Sequence, residues 1–392
     1  MSSDMPSDAE SDMGGQIRVS TLELFFDLVF VFTITQLTHT FAAHAGWSAL
    51  GKVALVFAIT WWMYSGFVWL TNEVAPTSSA SRTGLLVGML GFFLLSLAVP
   101  DAFGGSGVAF GLAYLLVTVV HTTMFWVAGG AQATRSMLRL APLNLATALI
   151  VMAGGFFDSA PRELFWLTAL ILQIVTPYLF DAGGFIVRTS HFCERHGLVL
   201  IIAVGESVVA IGSGLVGEPI TVGLVVRVVL GLTLAYALWW AYFGMDDERG
   251  EQALEAVPGT RRSRTAALSY GYCLYPMLIG IILAAAGMNE AIAHSARRET
   301  WAMALALSGG VALFFTGQAA FRTVLGLPRP WIRLLGAAAV LATAPSGVYW
   351  PAWVQLSLVL VVGYGSVIAD DLLSLRAGTA GHYLDNSRRV VH

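Results

Sequence analysis

Charge is what this chain has least of. Only 11% of its 392 residues are Asp, Glu, Lys or Arg, against 57% that are hydrophobic. A soluble domain carries about 25% charged residues, so the deficit excludes an ordinary soluble enzyme or binding module. The net charge of −3 and the lack of any basic block exclude a nucleic-acid partner. Cysteine is nearly absent, and Cys193 and Cys273 offer neither a disulfide framework nor metal-ligand spacing. There is no Walker A, no GxSxG and no HExxH. Gly212–Gly217 fits GxGxxG, but it closes an apolar run and follows no strand, so it is not a nucleotide-binding fingerprint. No polar stretch is long enough for an ATPase or kinase domain. An enzyme, a cofactor and a metal are therefore not expected.

What is present is a succession of apolar runs. A helix needs about 20 such residues to cross the hydrocarbon core. Runs at 21–43, 48–71, 82–100, 107–128, 138–156, 163–181, 196–216, 221–244, 265–287, 300–321, 331–346 and 351–369 predict an all-α polytopic transmembrane bundle of about twelve spans, with the lipid bilayer as its first partner. Runs five and eleven are short and rich in Gly and Ala. Sixteen of the 21 basic residues fall in even-numbered loops and the tails, which predicts an inner-membrane protein with both termini cytoplasmic. Residues 1–17, acidic and without Arg or Lys in their first sixteen, read as a disordered tail, and 373–392 as a second cytoplasmic tail.

The halves echo each other. Trp61-Trp62-Met63-Tyr64 is matched by Trp239-Trp240-Ala241-Tyr242, Thr71-Asn72-Glu73 by Asp246-Asp247-Glu248, and Ser81-Arg82-Thr83 by Ser263-Arg264-Thr265. Arg139 and Arg333 flank spans five and eleven, and Asp181 and Asp370 end spans six and twelve. Matches in one order at similar offsets predict two parallel six-helix repeats, 18–190 and 191–372, about a pseudo-two-fold axis along the membrane normal. The alternative is chance among low-complexity apolar helices.

A few polar groups interrupt the apolar runs. Glu23, Asp27, Thr35 and Thr38 lie within about one side of a helix, while His39 falls on another face. A carboxylate in hydrocarbon is opposed by roughly 2.5–3.5 kcal/mol on insertion scales. Glu206, flanked by Gly205 and Ser207 near the middle of span seven, is set against Asp27 by the repeat offset, and Ser213 shares its face. The structural alternatives are an N-terminal cap for Glu23 and interhelical hydrogen bonding for Asp27 and Glu206. His191-x-Cys193-x-x-His196 lacks the further ligands that zinc needs. Arg195 and His196 are expected at the cytoplasmic lip of span seven, and His121 is a candidate carboxylate partner. The Trp pairs either line a pathway or pack, Gln173 and Gln318 are weaker polar candidates, and Pro177 and Pro276 should kink spans six and nine.

Arg18–His39 (RVSTLELFFDLVFVFTITQLTH) and Glu194–Gly212 (ERHGLVLIIAVGESVVAIG) resemble the two hallmark segments of the bacterial low temperature requirement protein A family. The resemblance singles out Glu23, Asp27, Arg195, His196, Gly205 and Glu206, and implies a multi-pass membrane protein without supplying a substrate. Phe25-Phe26-Asp27 is also similar to the first-helix Phe-Ser-Asp signature of a potassium and proton channel family, with Phe26 in place of the Ser. The expected function is a secondary transporter or a proton or small-cation pathway. In it Asp27 and Glu206 pair near the axis, Glu23 relays from the cytoplasmic side, and Thr35, Ser207, Ser213, His39, His121, Arg195 and His196 support them. The alternative is a non-transporting sensor, scaffold or membrane-adaptation factor. Either is compatible with a homo-oligomer.

Overall fold

The computed structural model describes residues 19–179, 185, 187–213, 215, 217 and 219–376, and among them helix is the only regular secondary structure. Hydrocarbon offers the backbone no hydrogen-bond partner, so a spanning segment must satisfy its own N–H and C=O groups. The first half holds α1 (Thr21–Ala43), α2 (Trp47–Glu73), α3 (Ser79–Ala98), α4 (Gly107–Ala128), α5 (Ala131–Gly155) and α6 (Ala160–Leu179). The second holds α7 (Thr189–Ser213), α8 (Val222–Phe243), the short α9 (Asp246–Ala256) and α10 (Gly259–Ala266), α11 (Leu274–Ala293), α12 (Trp301–Leu325), α13 (Pro330–Leu341), α14 (Ala344–Tyr349) and α15 (Ala352–Arg376).

Eleven helical stretches among the described residues are long and apolar enough to cross a membrane. The exception among the twelve expected spans is α6, whose first turn carries Arg162 and Glu163; it packs along α5 and α2. The tails 1–18 and 377–392 and Asp181 lie outside the described residues.

Local sequence explains several boundaries. Ser20 opens α1 with a capping box: its hydroxyl accepts the Glu23 N–H at 3.3 Å, and the Glu23 carboxylate accepts the Ser20 N–H at 2.8 Å. Gly326, at φ 68°, closes α12 in the left-handed conformation. Expected span nine is not one regular helix. A π-helical turn, Ala267–Tyr272, joins α10 to α11, and the Cys273 N–H reaches back five residues to the Leu268 carbonyl at 3.1 Å. Pro276 follows at once and can donate no N–H, so the backbone is irregular where a kink was expected.

Helix pairings recur between the halves. In the first, α1 packs on α2 and α3, α3 on α4, α4 on α5, α5 on α6, and α6 on α2. In the second, α7 packs on α8 and α11, α11 on α12, α12 on α13, α13 on α15, and α15 on α8. Between halves, α1 lies against α7 and α11. Glu23 meets Arg195, and farther along Thr35 meets Glu206, so α1 and α7 run parallel.

The innermost helix is α11, buried without a break from Met277 to Met288. It approaches α12 through glycine: a Cβ added to Gly310 would sit 2.5 Å from the Ala284 nitrogen and 2.6 Å from the Gly280 oxygen. Close backbone approach of this kind is how membrane helices gain packing contact. On the outside, Leu86, Leu90, Phe93 and Leu97 of α3 form an exposed apolar stripe at helical spacing, suited to lipid.

Candidate functional site

The parallel contact of α1 and α7 gathers the first charged cluster. Arg195, with no exposed surface, donates through Nη2 to Asp27 Oδ1 at 2.7 Å, and its Nη1 lies 3.2 Å from Glu23 Oε1. His191 Nε2 lies 3.1 Å from the same Glu23 oxygen. Tyr64 of α2 donates its hydroxyl to Asp27 Oδ1 at 2.7 Å, and the Arg195 guanidinium stands 5.9 Å from the Phe26 ring centre. Glu23 and Asp27 are four residues apart, so one helical face presents both to α7. Glu23 thus caps α1 and also joins an ion cluster. Arg195 and His196 are fully buried, not at a lip, because α7 begins seven residues earlier than expected, at Thr189. The two facing carboxylates allow Arg195 to lie inside the bundle.

Asp27 and Glu206 are not brought together. Glu206 stands eleven residues beyond Arg195 on α7, about 16 Å at 1.5 Å per residue. It lies beside Thr35 and near His39 of α1. No Arg or Lys forms an ion pair with it among the described residues, and its Oε1 is buried without a hydrogen-bond partner. Ser207 is buried beside it with an unpartnered hydroxyl. Ser213 donates to the Ala210 carbonyl at 2.9 Å and Thr35 to the Val31 carbonyl at 3.3 Å; His39 is exposed.

A second buried cluster joins α9, α12, α13 and α15. Arg322 Nε meets Asp246 at 2.7 Å and its Nη1 meets Asp370 at 2.7 Å, while Arg333 Nη2 lies 3.3 Å from Asp370. Gln318 donates to Asp246 at 2.7 Å and also to the Ala241 carbonyl. Two acids face two arginines here, whereas Glu23 and Asp27 face one arginine and a histidine.

The family model described as bacterial low temperature requirement A protein (LtrA) matches residues 18–367. The chain is a member of the LtrA family. It is also similar to the uncharacterized protein RA0937 of Rhizobium meliloti (strain 1021), 26% identical over 333 residues, which cover 82% of this chain and 81% of that one. Family and helices together make it a multi-pass membrane protein.

Within this LtrA protein the two hallmark segments are α1 and α7, and their contact builds the first cluster. The other polar candidates are placed elsewhere. His121 meets no carboxylate among the described residues; its Nε2 bonds the Gly66 carbonyl at 2.9 Å. Gln173 donates to the Tyr114 hydroxyl. Trp240 donates to Asp371 at 2.8 Å, and Trp61 to the Gly271 carbonyl at 2.7 Å. His191, Cys193 and His196 lie on one helix without sharing a face, and no group of His, Cys, Asp and Glu among the described residues could hold a metal. The sequence reading missed His191 and Tyr64 as site members, and the Asp246–Arg322–Asp370–Arg333 cluster as a unit. The available signal was charge within a helical turn of an apolar run, at both ends of several spans.

Proposed function

We propose that this LtrA protein is a secondary carrier whose cycle includes binding of a proton or small cation along the α1–α7 seam. The observation that carries the reading is an imbalance of charge. The seam holds three buried carboxylates, Glu23, Asp27 and Glu206, against one arginine, Arg195, which pairs with the first two. Bare charge in hydrocarbon is strongly opposed, so neutrality along the seam asks for cations that the chain supplies only by protonation. Glu206, which has no Arg or Lys partner among the described residues, is the group that takes up a proton or small cation in this reading. Asp27, enclosed by Arg195 and Tyr64, then serves as an anchor, and the ion-carrying role passes to Glu206. The apolar Phe30 and Ile34 lie between the two levels of the seam, which fits a carrier that changes exposure better than a continuous proton wire.

In this reading the two halves are parallel six-helix repeats, supported by their recurring helix pairings and matched sequence segments. The arginine bias orients both termini to the cytoplasm of an inner membrane, with both ion clusters on that side.

The test is flux in proteoliposomes holding a pH-sensitive dye under an imposed potential. Glu206→Gln is expected to abolish proton movement while the folded protein is recovered in full. Undiminished flux in Glu206→Gln refutes the reading. The complete enclosure of Asp27 favours a second one, a non-transporting sensor or scaffold held together by its acids; it expects no flux from the parent protein and lower stability in Asp27→Asn.

A further inference from the structure

Away from both ion clusters, a partly enclosed cavity of about 260 Å³ lies between the halves. Its walls come from α2, α4, α5 and α6 on one side and from the π-helical turn and the start of α11 on the other. Trp61, Trp62, Trp69, Tyr272 and Tyr275 make those walls aromatic. Three hydrogen bonds fix them across the halves: Trp61 Nε1 donates to the Gly271 carbonyl at 2.7 Å, Tyr275 to the Ala54 carbonyl at 2.8 Å, and Tyr272 to the Ile174 carbonyl at 3.2 Å. The widened turn is therefore tied into the wall, and such turns are frequent at functional sites.

Two further observations bear on what the cavity takes. No Asp, Glu, Lys or Arg lines it among the described residues, and the lining His121 is engaged through Nε2 with the Gly66 carbonyl at 2.9 Å, so no fixed charge faces a guest. Ser65 and Asn144 do line it, at inner positions of α2 and α5, and neither makes a hydrogen bond among the described residues. A polar group without a partner in an apolar surround is disfavoured, and both side chains are half-buried. An acyl chain would leave both unsatisfied. A cavity of about 150 Å³ lined by apolar side chains takes benzene, so one of this size admits a two-ring molecule.

We infer that the cavity binds a neutral aromatic molecule of about two rings, carrying one hydrogen-bonding group such as a hydroxyl. The rings lie among Trp61, Trp62 and Tyr272, and the polar group reaches Asn144 and Ser65. Aromatic pairs in such offset or edge contacts gain more than their buried area alone supplies. The site does not rest on proton carriage and stands or falls separately.

The test is calorimetry on the full chain in lipid nanodiscs, with empty nanodiscs subtracted. The probes are 2-naphthol and 2-methylnaphthalene, which share a shape and differ in the hydroxyl. Saturable binding of 2-naphthol, about tenfold tighter than 2-methylnaphthalene, is expected. Asn144→Leu should bring the two probes level, and Ala267→Phe, which fills the cavity from the π-helical turn, should remove both. A proton-flux assay on the same variants separates this site from the seam. No saturable binding to the folded parent protein overturns the inference. So does equal binding of the two probes with no effect of Asn144→Leu, the behaviour of a slot for lipid tails.

Discussion

Replacing Arg195 by Met removes the positive centre of the α1–α7 cluster and keeps a side chain of similar length. Arg195 lies 2.7 Å from Asp27 and 3.2 Å from Glu23. At an effective dielectric constant of about 20 those attractions come to roughly 6 and 5 kcal/mol, most of it offset by the burial of three charges. The loss that matters is what remains behind: two carboxylates enclosed without a guanidinium. Removing one partner of a buried ion pair lowers stability by about 3–5 kcal/mol. Unfolding entropy of about 2.1 cal/mol/K per residue, over 392 residues, is about 0.8 kcal/mol/K, so Arg195→Met should lower the melting midpoint by about 4–6 °C. The measurement is a thermal melt of purified protein in detergent, followed by circular dichroism at fixed pH. Neutralising the stranded acids should restore most of the loss, so the triple variant Glu23→Gln, Asp27→Asn, Arg195→Met should melt above the single one. Gln at position 23 can still close the capping box, which keeps the start of α1 intact. A single variant as stable as the parent, or a triple variant no better than the single, would show that Arg195 is not the charge that makes this cluster tolerable.

Two further outcomes follow from packing and from titration. Gly310→Ala drives a methyl against the backbone of α11 and should lower stability by about 1–3 kcal/mol, whereas Gly365→Ala, with nothing within 4 Å of the new Cβ, should not; equal melts for the two would contradict the close α11–α12 contact. Glu299, in the loop before α12, has its carboxyl pushed up from 4.5 to about 7 by burial and then by the nearby Glu290. A raised folded-state value means the folded form binds the extra proton between those limits, so this group's contribution is complete below pH 4.5 and is lost as pH rises to about 7. Glu290 in turn pairs with His294 at 2.9 Å. Glu299→Gln should flatten the decline of the melting midpoint across that window; an unchanged slope would place the pH dependence elsewhere.

Composition and periodicity made the bundle legible, because hydrocarbon leaves a chain few choices. The start of α7 was not legible. His191, Glu194 and Arg195 read as loop until their counter-charges on α1 are known, and no local pattern links positions so far apart. The Asp27–Glu206 pairing failed because its offset came from matched segments elsewhere in the chain: along the α1–α7 seam Asp27 is level with Arg195 and Thr35 with Glu206, so the two acids sit at different depths. The second cluster escaped because Asp246, Arg322, Arg333 and Asp370 each lie at the end of a helix, where a charge usually meets water. The π-helical turn was half visible in Pro276, which marks a break in the hydrogen-bond ladder without saying how the turn before it widens.

The Asp27–Arg195 pair has a consequence for how the protein is made. Its members are 168 positions apart. At about 5–20 residues per second, a ribosome needs roughly 8–34 s to travel between them. Throughout that interval α1 exists with two acids and no guanidinium, and full release into lipid is opposed by about 2.5–3.5 kcal/mol for each bare carboxylate at the centre of the core, less near its edge. Release of α1 into lipid is therefore expected to wait until α7 emerges, which would separate the order of entry into the bilayer from the order of translation.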